Sequence, residues 1–324
     1  MRPDRQFLFT LITMLAFESC KKSGTQMPDT NAAVNVYAVG VGVNSLPTYW
    51  KNGTSAQLGT TGSVANSVCI VGADVYITGT VNNQATYWKN GASTELPGGL
   101  VSFANAIALN GNDVYVVGAI QTKNNNSVAE YWKNNVPIRL VADTSSFSWA
   151  YGIAISGNDV YIAGYTTVNG ASEATYWKNG VATILDSGGH LNSIANAITI
   201  NGTDIYIAGN MRNPNIAVYW KNGMLTTVGQ QGSDATAIVV SGPDVYIGGD
   251  IGIAQGAYWK NGVLTPLPYY SHAFAMAVNG TDVYLAGYAS DPNGNDYVAT
   301  YWKNGVSVQL SPFGILNAIA LVPK

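Results

Sequence analysis

Charge, cysteine and histidine are all scarce in this sequence. Only 10% of its 324 residues are Asp, Glu, Lys or Arg, and the formal net charge is −3. There is no run of basic residues, which argues against a nucleic-acid partner. The two cysteines, Cys20 and Cys69, rule out a scaffold stapled by several disulfides. The two histidines, His190 and His272, have no third ligand at metal spacing. Phosphate loops, dinucleotide fingerprints and Gly-x-Ser-x-Gly elbows do not occur in credible context, so no cofactor is implied. Asp291 to Asp296 opens like a calcium loop but lacks the closing Glu, and reads as a polar turn. Glu95, Glu130, Glu173 and Asp186 are scattered and form no acid–base pair in sequence.

What is abundant is apolar and turn-forming. Hydrophobic residues make up 47% of the chain, with 36 Gly and 20 Tyr, a composition that fits many short strands joined by tight turns and argues against disorder. Arg2 and Arg5 precede an uncharged run of eleven residues, Phe7 to Phe17, too short to span a bilayer but of signal-peptide length. Ser19-Cys20 then resembles the lipobox of bacterial lipoproteins, although Phe17 and Glu18 depart from its commonest form. The resemblance implies a leader over 1–19, a lipid on Cys20 and a flexible tether to residue 33. The expected address is the bacterial cell envelope, periplasmic or at the cell surface, with the membrane as a partner through the lipid.

From residue 34 one pattern recurs. Tyr-Trp-Lys-Asn places Trp at 50, 88, 132, 177, 220, 259 and 302, a span of 252 residues over six intervals, hence a mean spacing of 42. Asp-Val-Tyr or a close variant and Ser-x-Ala-x-Ala-Ile recur in phase with it. Periods near 40 with several strand-like pieces point to propeller blades. The unit beginning at Ser102 resolves into four strands, a to d: Ala104 to Leu109, Val114 to Gly118, Ala129 to Lys133 and Val136 to Val141. Asn-Gly at six of the seven c–d turns is the strongest short hairpin signal. The Gly and Asp of the a–b turn suit a tight turn closed by an Asx hydrogen bond. The chain starts on a strand b, Val34 to Val39, and ends on a lone strand a, Leu316 to Val322. The expected fold is therefore all-β, a seven-bladed β-propeller over residues 34–324, closed by the C-terminal strand joining the N-terminal blade. In an open solenoid the end repeats would be capped instead.

Ala85 to Gly91, Leu96, Ser102 to Ile107, Gly111 and Val117-Gly118 resemble the HAF-type extracellular repeat, with its Ala-x-x-Trp-x-Asn-Gly, Leu, Ser-x-Ala-x-x-Ile and Val-Gly marks. The likeness covers about nine-tenths of the chain. It implies an exported β-propeller and carries over no catalytic residue.

Repeated residues serve the blade, because seven copies of one catalytic site are improbable. The repeated Trp is expected between blades, Lys at the solvent, and Cys69 as a small buried hydrophobe. Residues that break the template are the candidates for function. Two columns at the start of strand a change chemistry from blade to blade. The first reads Val64, Phe103, Trp149, Ile194, Asp234, His272, Ile315; the second reads Asn66, Asn105, Tyr151, Asn196, Thr236, Phe274, Asn317. From these, Phe103, Trp149, Tyr151, Asp234, His272 and Phe274 are the candidate ligand contacts, at a channel mouth on the rim with variable loops. The expected role is a monomeric, non-catalytic binding or scaffold propeller for a glycan or peptide. Alternatives are a polysaccharide-acting enzyme, marked by His, Tyr and acids clustered on one face, and a multivalent lectin stacking sugars on the repeated Trp.

Overall fold

The c–d turns set the geometry of each blade. Asn and Gly both take positive φ there, for example 51° at Asn90 and 86° at Gly91. Such a two-residue turn matches the twist of the strands it joins. Asn134-Asn135 adopts the same shape, with φ of 50° and 67°.

A computed structural model describes residues 33–140, 147–290 and 297–324. The leader, Cys20, the tether to residue 32, Val141 and Asp291–Asp296 lie outside the described residues. Seven four-stranded antiparallel sheets form. In blade 3 the strands are Ser102–Asn110, Asp113–Gln121, Ser127–Lys133 and Val136–Arg139. Strands a and b run further than the sequence pattern suggests, because the ladder continues past Gly118 to Ser102↔Ile120. Blade 1 joins the two ends of the chain: Ile315–Pro323 pairs with Val34–Val41, which is followed by Pro47–Lys51 and Thr54–Gln57. The inner strands of the other blades are Val64–Val71, Ser148–Ser156, Asn192–Asn201, Ser233–Ser241 and Ser271–Asn279. Successive inner strands contact one another in an unbroken cycle of seven, blade 7 to blade 1 included. The molecule is a closed seven-bladed β-propeller.

Tryptophan and serine explain why the blades stack. All seven repeat Trp side chains are buried, with 0–2% of their surface exposed. Trp132 packs with Cys69, Tyr76 and Leu96 of blade 2, and its indole N–H donates to the Pro97 carbonyl at 2.6 Å. None of these rings has a free face for a sugar, so a lectin built on the repeated Trp is excluded. Ser102 Oγ accepts the buried Ala85 N–H of the preceding blade at 2.8 Å, and Ser148, Ser193, Ser233 and Ser271 repeat the contact. Ser63 breaks the series. Its hydroxyl is buried with no partner, because the matching residue in blade 1 is Pro47, which has no N–H to give.

The second variable column has a backbone role that sequence alone does not show. In every blade it is the extra residue of a β-bulge between strands a and b, as with Asn105 between Ala104 and Ala106. The glycine opposite is obligatory: a Cβ on Gly118 would overlap the Phe103 carbonyl, and the same holds for Gly40, Gly79, Gly164, Gly209, Gly249 and Gly287. Where the bulge residue is Asn, its amide donates to a carbonyl of the next blade: Asn66 to Ala104, Asn105 to Ala150, Asn196 to Ala235 and Asn317 to Ala65, at 2.8–2.9 Å. Thr236 reaches Ala273 in the same way, at 3.1 Å. Tyr151 and Phe274 give up this clasp.

The rim of a–b and c–d turns is uniform, and it corrects one expectation. Asp113 does not close its own turn. Its carboxylate accepts from Asn134 Nδ2 at 2.7 Å and pairs with Lys133 at 2.9 Å. Lys133 reaches the solvent as expected, and its ammonium also lies 5.2 Å from the Tyr115 ring centre. The Asp–Lys pair recurs at Asp74, Asp159, Asp204, Asp244 and Asp282. Blade 1 has Asn35 at this position, bonded to Asn52.

Candidate functional site

The opposite rim, where strands a begin and strands b end, carries the residues that break the template. The structure brings most of them into one arc across blades 3 to 7. Phe103 packs on Trp149 with ring centres 5.1 Å apart, and Trp149 lies 6.1 Å from Tyr151. Tyr151 is 2% exposed, so it backs Trp149 rather than facing solvent. Its ring lies 6.0 Å from Tyr165, and burial, more than the neighbouring Tyr165, pushes its phenol well above the usual range. On blade 7, His272 stacks against Tyr288 at 4.8 Å and lies 6.3 Å from Phe274. Phe274 and Tyr288 are 5.6 Å apart, and Tyr297 meets Tyr288 edge-on at 4.6 Å.

Between the two aromatic groups runs a polar stretch on blades 5 and 6. Asp234 accepts from Asn210 at 2.7 Å and from Asn215 at 3.2 Å. Its carboxyl is held above the ordinary carboxylate range, first by burial and then by the nearby Asp250. Asp250 bridges to blade 7: one oxygen accepts the Ala273 N–H at 2.9 Å, and the other lies 3.0 Å from His272 Nδ1. Asn210 treats blade 6 in the same way, accepting the Ala235 N–H at 2.7 Å while donating to Asp234. The Asp250–His272 contact is thus one of two consecutive blade-to-blade clasps. It also leaves His272 Nε2 as the ring nitrogen free for a ligand.

Sequence reasoning missed Tyr165, Asn210, Asp250 and Tyr288. These four occupy one column, each paired across the sheet with the first variable column: Trp149↔Tyr165, Ile194↔Asn210, Asp234↔Asp250 and His272↔Tyr288. Blades 1 to 3 have Val41, Thr80 and Ala119 there. The signal was available one residue after the strand-b glycine. Arg212, two residues beyond Asn210, was missed as well. His190 lies in the connection entering blade 5, away from His272. Among the described residues no group of three His, Cys, Asp or Glu is placed to hold a metal.

A cleft of about 760 Å³ lies further out on the same rim, against blade 3, between Pro97–Gly99 and Glu130. Glu130 is buried and already faces Arg139 at 3.6 Å. Burial raises its carboxyl and Arg139 opposes the rise. The cleft has no aromatic lining, so the channel mouth is the better candidate.

No family model and no curated protein matches the chain at a significant level. Solved structures do. The WD40 β-propeller domain of Doa1 superposes with a TM-score of 0.54 at 14% identity, over 81% of this chain and 91% of that one. A puromycin hydrolase mutant complexed with PGG gives 0.57 at 8% identity, over 91% of this chain and 55% of that one. At such identities the likeness shows the propeller fold alone. No helix among the described residues is long and apolar enough to cross a membrane.

Proposed function

We propose that this chain is an exported, lipid-anchored bacterial protein of the HAF-repeat type whose propeller binds a glycan at the channel mouth without turning it over. One observation carries this reading: blades 3, 4, 6 and 7 abandon the template at the same end of their inner strands, blade 5 does so on the facing strand b, and the replacements are aromatic rings beside Asn, Asp, Arg and His. Aromatic faces suit the C–H faces of sugar rings, and planar acids and amides suit pairs of hydroxyls. Blades 1 and 2 hold Ile315, Val41, Val64 and Thr80 at these positions, so the ring does not need the substitutions to close.

The test is a glycan array on the detergent-solubilised full chain, followed by titration of variants. Trp149→Ala with His272→Ala should weaken binding more than tenfold, about 1.4 kcal/mol, while leaving the propeller folded. Lys89→Ala with Lys260→Ala, on the opposite rim, should do little. Equal losses refute the assignment. The Asp250–His272 pair favours a second reading, a polysaccharide-acting enzyme with His272 as general base. Release of new reducing or unsaturated ends from the bound glycan, abolished by His272→Ala, would establish it in place of simple binding.

A further inference from the structure

Arg212 ends strand b of blade 5, level with Asn192 on strand a. Its Nε is buried and has no hydrogen-bond partner. No carboxylate among the described residues lies within ion-pair distance of it. The two nearby acids are already engaged, Asp234 by Asn210 and Asn215, Asp250 by His272 and the Ala273 N–H. The guanidinium is nevertheless close to the arc. Its charge favours ionisation of the Tyr151 and Tyr165 phenols and of Asp234. A guanidinium offers five donors in a planar fork and accepts nothing, so only an acceptor can satisfy it. Arg212 as a whole is only half-buried, so the rest of its fork is open to an acceptor, and a carboxylate is its best complement.

We propose that the channel mouth binds an acidic saccharide, its carboxylate held by Arg212 and its sugar faces stacked on Trp149 and Phe103. This rests on the glycan-binding reading above and names the class of glycan. Trp149 and Phe103 are half-buried on blades 4 and 3, the side of the arc that adjoins Tyr165 and blade 5. Asn215 and Asp234, on the far side of Arg212, are placed for hydroxyls of the same ligand. A neutral sugar would use the rings and the acids and leave the guanidinium unmatched.

The experiment titrates the detergent-solubilised full chain with oligogalacturonate, its methyl ester, N-acetylneuraminic acid oligosaccharides and neutral cello- and xylo-oligosaccharides. Binding of at least one acidic sugar is expected, at least tenfold weaker for the methyl ester or neutral counterpart, and weakening as salt rises. Arg212→Gln should remove that preference while leaving the melting temperature unchanged, since the half-buried side chain has no partner at its Nε to lose. Trp149→Ala should weaken acidic and neutral sugars alike. If neutral sugars bind as well as acidic ones, and Arg212→Gln changes nothing while Trp149→Ala abolishes binding, the acidic specificity is wrong and the glycan site stands. If no sugar binds, or only an acidic peptide does, both readings fall.

Discussion

Ser102 and Ser63 occupy the same template position and should respond oppositely to the same substitution. Ser102 Oγ accepts the Ala85 N–H, and Ala85 has no exposed surface. Ser102→Ala therefore strands a buried donor, at a cost of about 1–3 kcal/mol. Ser63 Oγ is itself the stranded group, because Pro47 faces it. Ser63→Ala removes that unpaired hydroxyl and should be neutral or slightly stabilising. Both variants delete one oxygen from an almost fully buried serine, with exposures of 0% and 2%, so cavity terms cancel in the comparison. Equilibrium denaturation with urea measures the difference directly, provided unfolding is a single transition. In a thermal scan the Ser102 loss corresponds to roughly 2–8 °C for a domain of this size. Equal losses from the two variants would refute the claim that these serines act as clasps to the preceding blade.

Three other outcomes follow from the same structure. Deleting residues 311–324 strips the inner strand from blade 1 and removes Leu316 and Ile319, both fully buried; at about 2–5 kcal/mol for each such side chain, cooperative unfolding should be lost, and a truncated protein that melts like the parent would contradict ring closure. The raised Asp234 carboxyl means the fold disfavours its charge, so stability is intact below the ordinary carboxylate pKa and declines as pH rises through the raised value. Asp234→Asn should accordingly raise the melting temperature at pH 7 and not at pH 3, and a gain of equal size at both would refute the cause. Mass spectrometry of the mature N-terminus should find Cys20 acylated, and an unmodified Cys20 or cleavage elsewhere ends the lipoprotein reading.

The seven blades, the Velcro-like joining of the chain ends and the rim worth searching could all be read from the sequence, because each rests on a repeat in phase with one Trp. What could not be read depends on register between blades. The second variable column looks like a run of exposed strand-start residues, yet its members sit on β-bulges, and Asn105 and Tyr151 are buried. Asp250 follows a glycine in a strand of otherwise ordinary appearance, and only the neighbouring blade shows that it meets His272. Arg212 lies where the b–c connections begin to vary, so it belongs to no template column. The repeated Asp and Lys were legible as turn residues and surface charges, but their pairing joins two separate turns that only the folded sheet brings together.

The two rims differ in what their charges are free to do. On the a–b and c–d rim, each repeated Asp is held below the ordinary carboxylate range by an Asn amide and a Lys, and each Lys also lies over a Tyr. Those donors and acceptors satisfy one another within a single blade, leaving little for a ligand. Ala33 sits on this same rim, since Val34–Val41 is a strand b and its counterparts begin just after an a–b turn. The Ala33 carbonyl is tied there by the Lys324 N–H at 2.9 Å. A lipid on Cys20 would thus be tethered from the self-satisfied rim. The channel mouth, with its half-buried rings and the half-buried Arg212, lies on the opposite rim from that attachment point.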